Sequence, residues 1–329
     1  ASTNVSSGTG VFIRSSLIDT HGGDVTIRGA TSATLASGAS ATAMNISAST
    51  IDAGGGDISI TALQASTSGT GDAFILHGGS SLLTEGTGAI DISADNLGSG
   101  NGTRIFSTGN TIAASGSGNV TLSGNAASGF GVLICSPASG STQNIGVGSG
   151  TLTVKASSQS GRGLYVAAAS DGAINLTASD AGRIVLSGDS GASYGTILNV
   201  TGSGASINLL SDGDITVEGN SSGGSTPSLG LVTSGSGSSI DIASTAGDVR
   251  LAADNSVINS GSGSFRALYM DASGSDSAIR VGTQSGNLSL EGNSISGRGV
   301  DLAPSGSNAA ITLSTSSGDI QVSGNSTAS

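Results

Sequence analysis

The chain has 329 residues, of which 56 are glycine, three proline and none tryptophan, and charged residues make up 10%, against roughly 25% in ordinary soluble domains. A formal net charge of −12 repels phosphate backbones and anionic headgroups, so nucleic acid is excluded as an expected partner and so is attraction to an anionic membrane. The hydrophobic fraction of 36% arrives in regular clusters, which separates the chain from a flexible Gly/Ser linker.

In chain order, the first cluster is Val11/Ile13, followed by a single apolar residue at Ile18 and then Val25/Ile27 in "GGDVTIRGA". The same three-part phrase returns as Met44/Ile46, Ile51 and Ile58/Ile60, and again as Phe74/Leu76, Leu83 and Ile90/Ile92. The fourth period shows only Ile112 and Val120/Leu122 clearly. From the fifth period the middle cluster grows to a pair, read as Ile145/Val147, Ile174/Leu176, Ile207/Leu209, Ile240/Ile242, Ile279/Val281 and Ile311/Leu313. Closing pairs continue through Leu152/Val154, Ile184/Leu186, Ile215/Val217, Val249/Leu251, Leu288/Leu290 and Ile320/Val322. Opening pairs recur at Val132/Ile134, Leu164/Val166, Leu268/Met270 and Val300/Leu302.

Successive closing pairs are 30 to 34 residues apart, with one step of 39. Glycine stands two residues before every one of them, from Gly23 to Gly318, and Gly or Ala stands two residues after. Such a glycine serves a positive-φ turn or a close approach of backbones. Apolar residues alternate with period two, and helical spacing is absent. A fixed period of this length signals a solenoid, in which each unit buries its apolar side only against its neighbours. Three short strands per period predict an all-β parallel β-helix of about ten coils, a single segment over 1–329. At the strand spacing of a sheet, ten coils make a rod about 48 Å long. An antiparallel sandwich would need hairpin turns and leaves the constant period unexplained. The terminal sequences read as the same material as the middle, so the expectation is a segment of a longer repeat protein.

The phrases "GGDISITA", "SGNVTLSG" and "DGDITVEGN" resemble the repeat regions of filamentous-haemagglutinin-type exoproteins, the large secreted adhesins of two-partner secretion systems. Autotransporter passengers carry similar repeats, and the amino-terminal secretion domain of the family is absent from these residues. The resemblance implies a right-handed coil, in line with the common crossover preference, on a secreted protein at a bacterial cell surface. It further implies adhesion, cell–cell contact or biofilm formation, with a host or neighbouring-cell receptor or polysaccharide as partner, or self-association sideways or end to end. An alternative is a carbohydrate-active β-helix enzyme; another is the subunit of a self-polymerising extracellular filament.

Residues that would carry chemistry are sparse, and no enzyme, cofactor or metal site is expected. The histidines, His21 and His77, stand alone. Cys135, the one cysteine, sits in "GVLICS" and reads as a small buried residue. Asp24 with Asp57, and Asp214 with Asp248, are expected on neighbouring coils, where paired carboxylates could share a proton or a cation. Other repeats carry Asn119, Asn287, Ala89, Thr151 or Arg183 at that slot, so turn geometry accounts for the position better. Arg162, Arg266 and Arg298 share an offset before the opening strand and read as a solvated edge. The outward positions of the closing strands, interrupted by Asp91, Val185 and Arg250, are too irregular for an ice-binding array.

One asymmetry remains. The outward positions of the middle and closing strands are polar, as in Asn175, Asn208, Asp241, Arg280 and Thr312. Those of the opening strand read as Phe12, Asn45, Ile75, Leu133, Tyr165, Leu198, Gly230, Tyr269 and Asp301. An apolar stripe on an outer face marks a contact surface, here centred on Phe12, Ile75, Leu133, Tyr165, Leu198 and Tyr269. A bulge or one-residue slip at Ile75 or Leu198 would instead turn these side chains inward.

Overall fold

The structure, a computed structural model, describes residues 7–32, 40–223, 226–255, 265–295 and 297–327. These residues form three parallel sheets of ten strands each, and each sheet takes every third strand along the chain. The first coil comprises Ser7–Arg14, Leu17–Asp19 and Val25–Ala30, the last Gly297–Pro304, Ala310–Thr315 and Ile320–Ser326. We call the sheets opening, middle and closing. No α-helix occurs among the described residues. The parallel β-helix with three strands per coil is therefore the fold.

Register follows the repeat. All ten first members of the closing pairs, Val25 through Ile320, fall in one column. The opening pairs likewise fall in two columns, one through Val11, Met44 and Phe74, the other through Ile13, Ile46 and Leu76. Side chains in these inward columns are fully buried through the middle of the stack, and the core is one continuous cluster. Parallel pairing puts like against like at each step, so β-branched and leucine side chains stack on their own kind. At the last coil the closing columns lie bare on one side, Ile320 and Val322 being 46% and 49% exposed, whereas Val25 in the first coil is buried.

Two details of the sequence reading change. In the third coil Leu82, not Leu83, enters the core column with Ile51 and Ile112, and Leu83 faces out between Asp52 and Ala113. In the fifth, Ile145 aligns with Leu176, and the slot of Ile174 is held by Gln143. Gln143 is fully buried and accepts a hydrogen bond at 2.8 Å from the buried Asn110 amide one coil earlier. Paired amides satisfy each other there, which is why an apolar-pair search loses the middle strand in these coils.

The repeated glycines before the closing strand work by close approach. A Cβ on Gly118 would lie 1.7 Å from the carbonyl oxygen of Gly88, and one on Gly318 would lie 1.9 Å from that of Gly286. The backbones of successive coils stack in contact there and leave no room for a side chain. The acidic residues that follow them act between coils. Asp24 accepts from the Asp57 N–H (2.9 Å) and Asp57 from the Ala89 N–H (2.8 Å). Asp214 accepts from the Asp248 N–H (3.0 Å), Asp248 from the Asn287 N–H (2.7 Å), and Asn119 from the Thr151 N–H (2.8 Å). Each side chain ties its coil to the next, so a bond between coils, not the geometry of its own turn, accounts for the slot.

Candidate interaction face

In the opening sheet one outward column runs Phe12, Asn45, Ile75, Arg104, Leu133, Tyr165, Ile197, Gly230, Tyr269, Asp301. Phe12, Ile75, Leu133, Tyr165 and Tyr269 hold the places expected of them. Leu198 does not: it is fully buried and lies in the core column between Val166 and Leu231. Its neighbour Ile197, 4% exposed, takes the outward position. The slip has a physical cause. Thr196 occupies the core slot that an aliphatic fills elsewhere, with its hydroxyl donating to the Glu218 carbonyl at 2.5 Å. Reading the first apolar residue as inward then shifts the strand by one. Thr103 does the same in the fourth coil, donating to the Ser123 carbonyl at 3.0 Å, and so Arg104 escaped notice.

Six of the chain's eight Phe and Tyr residues lie in this column or beside it. Phe106 follows Arg104 by two residues and stacks on His77, with ring centroids 5.1 Å apart and planes at 14°. The Arg104 guanidinium covers the Phe106 ring at 4.0 Å. Nε2 of His77 donates to Oδ1 of Asn45 at 3.0 Å. Burial, and then the Arg104 charge, hold His77 below the usual histidine range, so the ring is neutral at pH 7.

Further along, Phe130 meets Tyr165 at 5.1 Å with tilted planes. The Arg162 guanidinium lies 4.3 Å from the Tyr165 centroid, 5.6 Å from Phe130 and 5.8 Å from Tyr194. Asn199 donates to the Tyr165 hydroxyl at 3.0 Å. Gly230 has a local reason: a Cβ there would stand 2.9 Å from Cε1 of Tyr194 and 3.5 Å from Ile197. The missing side chain lets the Tyr194 ring lie down on the strand. In the ninth coil Arg266 covers Tyr269 at 4.1 Å and pairs with Asp301 at 2.7 Å, where Arg298 joins it at 2.9 Å. The three arginines expected at a solvated edge thus serve rings and a shared carboxylate.

Cys135 corrects another expectation. It faces outward beside Ala167, half-buried, and burial pushes its thiol above the ordinary range. His21 pairs with Asp19 at an exposed turn. Among the described residues no group of three or more His, Cys, Asp and Glu could hold a metal ion, and no helix is long and apolar enough to cross a membrane. The outer faces of the other two sheets carry polar ladders. In the middle sheet Asn208 donates to Asn175 at 2.8 Å and Asn175 to Asn144 at 2.9 Å, and Arg280 pairs with Asp241 at 3.0 Å. In the closing sheet Arg250 bridges Glu218 and Glu291. Side chains on those faces satisfy one another along the axis, whereas the opening face gathers rings and guanidinium groups.

No family model matches the chain, and neither a curated protein nor a solved structure matches it.

Proposed function

We propose that the chain is a stiff adhesive segment of a secreted bacterial surface protein of the filamentous-haemagglutinin type, with the outer face of the opening sheet as its contact surface. The observation that supports this reading is the distribution of aromatic residues. A chain with 2% aromatics places most of them outside its core on one of three sheet faces. Aromatic side chains and arginine are the groups that dominate protein contact surfaces, because each offers a large rigid area at small entropic cost. The rest of the molecule supplies reach. Ten coils held by parallel ladders and inter-coil Asp and Asn bonds make a stiff spacer, and in the acid pairs Asp24 and Asp214 accept from the backbone N–H groups of Asp57 and Asp248.

The test replaces Tyr165 and Tyr269 with Ser together. Attachment of the chain to cultured epithelial and bacterial cells, and its self-association by sedimentation velocity, are compared with the parent. Loss of attachment or of self-association, with the β circular-dichroism spectrum retained, supports the reading. Unchanged attachment and unchanged self-association overturn it.

A further inference from the structure

Between the fifth and seventh coils the opening face carries one arginine whose charge is left unpaired among the described residues. Of the seven arginines beyond the first coil, six have a carboxylate within 3.4 Å. Arg162 forms no ion pair among the described residues; its guanidinium is held among Phe130, Tyr165 and Tyr194 instead. Ring faces orient a guanidinium through the quadrupole but leave its N–H fork unsatisfied in the ring plane. Such a fork takes a planar oxyanion, bidentately and with charge assistance.

We propose that this stretch binds a saccharide carrying a carboxylate, an inference that rests on the opening face being a contact surface. Three features select that ligand. The aliphatic side chains here are already covered, Leu133 at 8% and Ile197 at 4% exposure, so the surface offers no apolar pocket of the kind a protein hot spot fills. What remains are aromatic rings beside the Tyr165 hydroxyl and the Asn199 amide. That combination stacks against the C–H face of a pyranose and bonds its hydroxyls. Charge sets the acid content. One arginine without an ion pair in this stretch, on a chain of net −12, suits one carboxylate among neutral sugars and repels a dense polyanion. The site covers two strand steps, about 10 Å along the axis, enough for a short saccharide lying parallel to the rod.

Titration calorimetry of the full chain at physiological salt decides the matter, with a hyaluronan tetrasaccharide, which has a carboxylate on alternate sugars, and the neutral tetra-N-acetylchitotetraose as probes. Hyaluronan is expected to bind, and Arg162→Gln to weaken it at least tenfold while leaving the β spectrum and any affinity for the neutral tetramer unchanged. Absence of hyaluronan binding, or equal binding by Arg162→Gln, overturns the saccharide inference. The attachment assay separates the two levels. If Tyr165→Ser with Tyr269→Ser abolishes cell attachment while hyaluronan fails to bind the parent, the contact face stands and its saccharide ligand falls. If attachment and self-association are both insensitive to those tyrosines, the face itself falls. A parent chain that sediments as a dimer and becomes monomeric with Tyr165→Ser assigns the site to a second copy, and this too overturns the saccharide.

Discussion

At the corner before the closing strand all ten coils carry glycine, whereas the outer column of the opening sheet carries eight residue types in ten positions. The two regions lie on the same rod and repeat with the same period. What differs is the neighbour each side chain meets. At the corner, from Gly56 to Gly318, the neighbour is the backbone of the preceding coil at contact distance, which admits nothing but hydrogen at Cα, whereas a Cβ on Gly23 in the first coil would meet nothing closer than 3.5 Å. On the outer face the neighbours are water and other side chains, so winding places almost no demand there. Uniformity along a solenoid therefore marks what the backbone requires, and variation marks where something other than winding has set the residue.

The largest effect is expected where that contrast is sharpest. Gly118→Ala puts a Cβ 1.7 Å from the Gly88 carbonyl oxygen and 2.6 Å from its carbon. Both are backbone atoms, so two coils must part. A loss above about 4 kcal/mol, or failure to fold, is expected. Gly140→Ala is the control. Its φ is +66° with nothing within 4 Å of the added atom, so it carries only the left-handed strain of about 1 kcal/mol. Urea midpoints for the two variants would break the comparison if they fell equally.

The next contrast lies within one strand. Ile184 points into the core and is fully buried, while Val185 points out of the same strand with partial exposure. Ile184→Ala is expected to cost about 2–5 kcal/mol, the lost transfer energy plus the cavity left between Leu152 and Ile215. Val185→Ala is expected to stay within about 0.5 kcal/mol. Similar losses at both positions would mean that the outer face is covered.

These contrasts explain what the sequence could convey. Coil number, strand order and nearly every inward residue were legible because one physical demand, burial of an apolar column, repeats ten times and leaves the same trace each time. Legibility failed where a polar side chain met that demand in another way. Thr103 and Thr196 stand in core columns with hydroxyls bonded to backbone carbonyls, and Asn110 and Gln143 bond each other there. Each removes one apolar mark: at Thr196 the reading slips by one residue, and at Gln143 by two. The outer face of the opening sheet was legible as an excess of aromatics, and Phe12, Ile75, Leu133, Tyr165 and Tyr269 stand in its outward column as the alternation predicts. Arg104, Ile197, Phe106 and Tyr194 were missed, since a ring lying over Gly230 leaves no periodic signal. Glycine at a strand centre opposite variable residues was the one clue available.

The smallest expected effect sharpens the comparison by pH. His77 lies on the opening face and is neutral in the folded chain, its pKa lowered below 6.5 by burial and then by the Arg104 charge. In the unfolded chain that charge is distant and water surrounds the ring, so the unfolded form binds a proton more readily. The stability contributed by neutral His77 is therefore fully present above the unfolded value of about 6.5 and is lost as pH falls through it towards the folded value. Between pH 7.5 and pH 5.5 carboxylates stay ionised and add little slope. Lowering the pH across this range is expected to lower the urea midpoint of the parent by a fraction of the Ile184→Ala effect. His77→Gln keeps a donor for Asn45 and removes the titration, so its profile is expected to be flatter. His21 is present in both chains, and its contribution cancels in the difference. Parallel profiles for the parent and His77→Gln would mean that the ring on the opening face is as freely hydrated as a side chain on the polar faces, and the burial that sets this face apart would be gone.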